Sequence, residues 1–337
     1  MVDSSLAVDL NLAFTNTAGL PIDYDDPLLS TGSLLLMDFA HPVAPLTAVP
    51  ANNQVLYNIA QNQALAVIGS STAADVSPVV KVGAFTGTAG LWELTPKGGL
   101  HGISPQAGTA VTGSGPSIYI PLPVIAYILA HSTHSYYASV WGESTRLPTS
   151  GYNNSTWFDI SGNGQQTNSA LASVNANPAS ATAPAIRTVS GFPQYVGSAI
   201  VTSGSAVLAA VGNTGWYTVV SGTAQPSPAS IPGDGTQTSI TGPQAGGVIP
   251  WGSSSLAPGI GSTGVITNGA VFDPTSNSSN KDKADSHIIY RVYLEDLTIS
   301  GRTYATVEAA DGALFTAAFG TGGRFNGDTF TNPTTIP

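Results

Sequence analysis

The chain has 337 residues, no cysteine, two methionines and very little charge, with 9 lysines and arginines against 19 aspartates and glutamates. That is 8% of the residues, where an ordinary soluble domain carries about 25%. The absence of cysteine excludes a disulfide framework and any zinc site built on thiolates. The scarcity of basic residues, at a net charge of −10, argues against nucleic acid as a partner, because neutralising phosphates takes clustered lysines and arginines. Disorder needs low hydrophobicity with high charge, whereas 42% of this chain is apolar. Long hydrophobic runs are missing too. The most apolar stretch, 118–130, is broken by Pro121 and Pro123 and is shorter than the roughly 20 residues a membrane helix needs. The first basic residue is Lys81, so the positive n-region of a secretory signal and the arginines of a transit peptide are absent. The expectation is synthesis in the cytoplasm without a signal peptide, and no membrane partner.

What is present instead is glycine (38 residues), proline (24 residues) and an abundance of Ser, Thr, Asn and Gln. Three zones follow one another. In residues 1–148, short apolar runs (Leu28-Leu29, 34–37, 64–68 and 79–85) alternate with turns at 31–33, 69–71, 87–90 and Gly98-Gly99, which reads as strands. Val55, Leu56, Ile59 and Ala60 are spaced for one helical face, predicting a short helix within 52–66. Between Asp159 and Asp273 only Arg187 and Asp234 are charged, yet apolar islands of strand length recur at 199–201, 206–211, 216–220 and 265–266. Flexible linkers carry no such side chains, so strands with long polar loops are expected over 149–280. In the third zone, 287–297 alternates. Ile289, Arg291, Tyr293 and Glu295 are expected on one face of a strand, and Ile288, Tyr290, Val292 and Leu294 on a fully apolar other. Val307, Ala310, Leu314, Phe315 and Ala318 then recur at helical spacing, with Glu308 and Asp311 in the N-terminal half and Gly320 as a stop. The tail from Gly322 is expected to be irregular.

Chemical motifs are few. Gly259-Ile-Gly-Ser-Thr-Gly264 matches the dinucleotide fingerprint but lacks the preceding buried strand and the following helix. His131 and His134 form an H-x-x-H. A helical zinc pair needs a four-residue offset, and on a strand a three-residue offset sends the rings to opposite faces, so loop or strand histidines are expected. No G-x-S-x-G elbow or Walker sequence occurs, and no catalytic or cofactor-binding residue is assigned. Carboxylates cluster twice, at Asp23, Asp25 and Asp26 and at Asp273, Asp282 and Asp285. Calcium accepts such oxygen-rich loops, which makes these six the metal candidates, although turn-forming aspartates give the same pattern. Trp92, Trp141, Trp157, Trp216 and Trp251 fit a core or a subunit interface better than a sugar-stacking platform.

Two segments, Trp92–Ser104 and Arg291–Tyr304 with its continuation Gly322–Thr329, resemble stretches of tailed-bacteriophage virion structural proteins whose core is a concanavalin or laminin-G-like β-sandwich. Ser135–Arg146 suits such a lectin-like sheet. The resemblance implies a non-enzymatic virion component. Its partners would be copies of itself and other virion proteins, and host glycan or calcium would be optional ligands. The expected fold is mainly β, an antiparallel sandwich of jelly-roll or concanavalin type with long loops. The expected domains are an arm over 1–19, a sandwich over 20–300 with 149–280 as a candidate inserted subdomain, and a helix with irregular tail over 301–337. The expected role is a homo-oligomeric head decoration or capsid-associated protein, with a tail, baseplate or fibre adhesin for host glycan as the alternative. A glycan-degrading enzyme would have to draw on the only glutamates, Glu93, Glu143, Glu295 and Glu308.

Overall fold

The computed structural model describes residues 26–81, 91–103, 116–131, 134–146 and 286–336, with the backbone of seven strand segments between 155 and 250. In chain order these form β1 (Ser33–Asp38), α1 (Gln61–Ile68), β2 (Val79–Lys81), β3 (Leu91–Leu94), β4 (Leu100–Ile103), β5 (Ser117–Ile120), α2 (Leu122–Ala130) and β6 (Tyr136–Arg146). There follow β7 (Ser155–Ser161), β8 (Ala170–Ala176), β9 (Ile186–Phe192), β10 (Ala199–Thr202), β11 (Val207–Val211), β12 (Tyr217–Thr218) and β13 (Gly246–Pro250). The chain closes with β14 (Ser286–Asp296), α3 (Leu297–Ser300) and α4 (Tyr304–Phe319). The protein is mainly β, with antiparallel sheets and a few helices.

Among the described residues, a nine-stranded sheet runs β12-β11-β10-β9-β6-β14-β4-β3, with β1 also on β14, and a five-stranded sheet runs β2-β5-β13-β7-β8. The strands of 149–280 therefore pair into both sheets, β9 on β6 and β13 on β5. β14 is the axis of the larger sheet. One of its edges is covered throughout by β6. The other is shared, with β4 on residues 287–289 and β1 on residues 291–295. The β3–β4 turn needs both its glycines. Gly98 sits at φ +88°, and a Cβ on Gly99 would come within 2.4 Å of Ile288 Cγ2.

The faces of β14 do not alternate as the sequence predicts. Ile289 faces Gly142 and Arg291 faces Trp141, so Tyr290 is one residue too many. This β-bulge flips the alternation. Before it Ile288, with the bulge residue Tyr290, packs with Trp141, Phe315, Ala318, Phe319 and Phe325 under α4. After it, Arg291, Tyr293 and Glu295 occupy that same side. The opposite face, carrying Ile289, Val292 and Leu294, joins Leu35, Met37, Ala138 and Val140 in a core closed by α1 and α2. Neither face of the strand is the one expected from strict alternation.

Other elements follow their local chemistry. α4 begins where Thr303 Oγ1 accepts the Thr306 N–H and ends as the Gly320 N–H reaches the Thr316 carbonyl, as the sequence predicts. Its Asp311 is not a dipole partner in the first turn but a fully buried acceptor. The apolar stretch 118–130 divides at Pro121, with β5 before it and α2 after, and Pro123 lies in the first helical turn, where its missing N–H is harmless. The first helix, Gln61–Ile68, lies further along the chain than the short helix expected within 52–66. Residues 52–60 run irregularly because their backbone bonds go sideways, Leu56 N–H to Pro78 and Ile59 N–H to Leu36. Residues 64–68 are helical rather than a strand, and Leu28-Leu29 lie in a turn.

Candidate functional site

The α4 side of the large sheet concentrates the protein's polar chemistry. Arg291, 2% exposed, donates to both oxygens of Asp26 at 2.8 and 2.9 Å and to Asp38 at 3.1 Å. It lies 4.8 Å over the Trp141 ring. Arg324 pairs with Asp38 from the tail. Burial opposes the charge on Arg291, but the Asp26 hydrogen bonds and the two carboxylates overcome it and hold its pKa above the ordinary value. Burial likewise opposes ionisation of Asp26, and the Arg291 bonds and charge outweigh it to set the carboxyl below its usual range. Along the same face, Glu295 takes Arg302 and Tyr293, and Asp311 takes the Tyr137 hydroxyl at 2.7 Å and the Trp141 indole N–H at 3.0 Å.

A second cluster lies at the β3–β4 end. The Glu93, His101 and Glu143 positions stand in one row across β3, β4 and β6, with Ile288 between the last two. His101 Nδ1 lies 2.8 Å from Glu93 and its Nε2 2.8 Å from Thr145 Oγ1. Burial drives the His101 pKa down to about 4 against the pull of Glu93, so the ring is neutral near pH 7. Burial tends to raise the Glu93 pKa, and hydrogen bonds from His101 and Thr331 more than reverse that. Nδ1–H therefore donates to Glu93 and Nε2 accepts from Thr145. This is the polarity of an acid–base–hydroxyl relay. Its surroundings are those of a structural pin. His101 is fully buried and Thr145 is 8% exposed. Phe330 sits edge-on to the imidazole, and Thr331 caps Glu93 with its N–H and hydroxyl. A reacting hydroxyl needs room beside it for a substrate. The open groove nearby, about 660 Å³ between the 40–49 loop and the β3–β4 turn, is walled by residues such as Phe39, Leu46, Val49, Pro96, Lys97 and Glu93 but not by His101 or Thr145. Glu143 is half-buried, and burial with the charge of Asp328 pushes its pKa up to about 7.

The segments that carry the virion resemblance meet here. Asp328 accepts from the Thr95 hydroxyl, the Lys97 N–H at 3.1 Å and the Tyr290 hydroxyl at 3.1 Å. The Lys97 ammonium donates to the Asn326 carbonyl. β3–β4, β14 and the tail, far apart in sequence, form one knot.

A third cluster lies where α2 ends and β6 begins. Asp296 is fully buried. Its Oδ1 caps α3 by accepting the N–H groups of Thr298 and Ile299. Its Oδ2 accepts from the Tyr127 hydroxyl at 2.8 Å and His134 Nδ1 at 2.6 Å. His131 Nδ1 donates to the Tyr127 carbonyl at 2.8 Å, and its ring stacks on Tyr127. Burial first, then Asp296, raises the Tyr127 hydroxyl pKa.

Of the calcium candidates, Asp26 is tied to Arg291, and Asp23, Asp25, Asp273, Asp282 and Asp285 lie outside the described residues, as does the glycine motif at 259–264. Among the described residues no group of three or more His, Asp or Glu side chains is placed to hold a metal ion. Trp141 is in the core and Trp92 is partly buried against it. Trp216 and Trp251 lie outside the described residues, and only the backbone of Trp157 is described. Of the glutamates, Glu93 and Glu295 are committed to His101 and Arg302, Glu143 feels the charge of Asp328, and Glu308 lies on α4. The sequence did not foretell the Glu93–His101–Thr145 chain. Its three members come from three strands, and only the register aligns them.

No protein-family model matches the chain, and no curated protein sequence matches it. Among solved structures, similarity is found to a Trypanosoma rangeli sialidase mutant displaying trans-sialidase activity, at 13% identity and TM-score 0.32. The T. rangeli sialidase in complex with sialic acid matches at 14% identity and TM-score 0.27. Both cover 80% of this chain and 31% of their own, so the chain spans under a third of the sialidases' length. The binding domain of botulinum neurotoxin serotype D/C matches at 10% identity and TM-score 0.28, covering 81% of this chain and 53% of its own. At these scores the likeness assigns neither a shared fold nor an activity.

Proposed function

We propose that this chain is a non-enzymatic structural component of a tailed-phage particle, built as a β-sandwich and assembled as a homo-oligomer on the virion surface, as a head decoration or capsid-associated protein. The observation that carries this reading is the use to which the resembling segments are put. Thr95, Lys97 and Asp328 of these segments bind one another, with Tyr290 beside them, and Arg291 and Arg324 meet on Asp38, which lashes the tail to the sheet. The sandwich reading is supported by Val80, Ile118 and Ile120 of the smaller sheet sharing one buried cluster with β1, β6 and β14. An assembly role also suits the chemistry of a chain only 8% charged. Several of its charges are buried in internal pairs, so neighbouring copies can close on each other without desolvating many ions.

The test is quantitative mass spectrometry of density-purified particles from the source, reading this protein against the major capsid protein. Copy numbers in the many tens to hundreds support a head position. A few copies per particle would move it to the tail or baseplate and favour a host-glycan adhesin. Absence from the particles removes the proposal.

A further inference from the structure

His131 follows the last residue of α2, and His134 lies just before β6. α2 ends at Ala130, and the His134 N–H returns to the His131 carbonyl at 2.9 Å. This hydrogen bond holds the two histidines close together. Their ring centres lie 4.9 Å apart with planes inclined at 47°.

Both rings are held in one tautomer by bonds at Nδ1. The Tyr127 carbonyl can only accept, so His131 Nδ1 carries a proton. The Asp296 carboxylate already takes three other donors, and His134 Nδ1–H supplies the fourth. A carboxylate has about four lone-pair sites, so Asp296 is saturated and acts only as an orienter. In the neutral rings both Nε2 atoms are then lone-pair donors, and neither meets a partner among the described residues. Nδ1–H bound to a carbonyl or carboxylate, with Nε2 left open, is the outer-shell arrangement of metal-ligating histidines.

The spacing fits as well. A metal–imidazole bond of about 2.0–2.1 Å puts an ion roughly 3.2 Å from each ring centre. Two rings sharing one ion at angles between square and tetrahedral then stand about 4.5–5.3 Å apart. The observed separation of the ring centres falls within that range. We propose that His131 and His134 form a two-imidazole site for a divalent first-row transition metal, water completing the coordination, with Tyr127 and Asp296 as positioning groups. The ion joins the end of α2 to the start of β6. Imidazole ligation with no thiolate favours copper, nickel and zinc over calcium or magnesium, with copper tightest.

The full chain is dialysed to equilibrium against copper(II), nickel(II) or zinc(II) chloride, each alone, and bound metal is counted per chain. One ion per chain is expected, with copper held most tightly. His131→Gln or His134→Gln should each weaken binding by at least about tenfold, and the double substitution should remove the site. Unchanged stoichiometry and affinity in the double variant would overturn the proposal. Nitrogen-15 imidazole spectra of the unsubstituted protein with zinc(II) give a reading that does not depend on the variants folding. Nε2 of two histidines should shift while their Nδ1 stays protonated. If no ring responds, or only His41, His101 or His287 does, the site is not there.

Discussion

The two faces of the central sheet are built on opposite plans. Towards α1 and α2, β1, β6 and β14 present Leu35, Met37, Ala138, Val140, Ile289, Val292 and Leu294, all buried and all apolar. Towards α4 the same three strands present Asp38, Arg291, Glu295, Tyr137, Tyr293 and Trp141, also buried, with Asp26 and Asp311 added from outside the sheet. An apolar face is non-directional and tolerates repacking. The α4 face works only in one arrangement, because each buried charge must meet its own partner or bear the desolvation cost alone. The lesson is a division of labour: one face supplies cohesion, and the other fixes where the tail and α4 lie.

The comparison can be broken most severely at Arg291. Arg291→Met leaves Asp26 buried without its arginine and Asp38 with Arg324 alone, and should cost about 4 kcal/mol in urea unfolding at pH 7. The deficit should shrink towards pH 4. In the native protein Arg291 keeps Asp26 ionised, so its share of stability is present above the free carboxyl's pKa and is lost on acidification. In the variant Asp26 can protonate, which relieves the buried charge. A deficit that did not change with pH would contradict the ion-network account. On the other face, Leu294→Ala should cost about 3 kcal/mol by leaving a cavity, with no dependence on pH between 4 and 8. A marked pH slope there would erase the contrast between the faces.

The smallest effect sharpens the picture on the α4 side itself. Glu143, its folded pKa raised to about 7, binds its proton more tightly folded than unfolded, so its contribution falls as pH rises from about 4.5 to 7. His101, lowered to about 4, behaves oppositely. Its contribution is present above about 6.5 and is lost on acidification towards 4. The two slopes partly cancel. Glu143→Gln should therefore raise stability above pH 7 by on the order of 1–2 kcal/mol and uncover a fall on acidification that the unsubstituted protein conceals. Thermal melts from pH 4.5 to 8 decide it, and parallel curves for the two proteins would count against the opposed pair.

How much of this was legible depended on whether a feature was local. α4 could be read almost to the residue, because Thr303, the apolar spacing and Gly320 are all local signals. The extent of β14 was equally clear. Its faces were not, since the bulge at Tyr290 is set by pairing with β6 rather than by the strand's own residues. The first helix was displaced because Leu56 and Ile59 are buried by contacts with β1 and β2 that mimic helical spacing. Arg291 was expected on a strand face, but its partners Asp26 and Asp38 are 265 and 253 residues away, beyond any pattern argument. The histidine pair is visible in the sequence as an H-x-x-H in a loop, but the groups its rings bind, Tyr127 and Asp296, are brought there only by the fold.

The shared edge of β14 has a consequence for how the protein is made. β1 and β4 both await a strand that emerges from the ribosome long after they do. Until residues 286–296 arrive, β1 has no described strand partner, and β4 has only the short β3. Contacts so distant in sequence slow folding, and unpaired strand edges are sticky in the interval. The nascent chain is thus a natural client for a chaperone, and its last portion acts as the latch that ends that dependence.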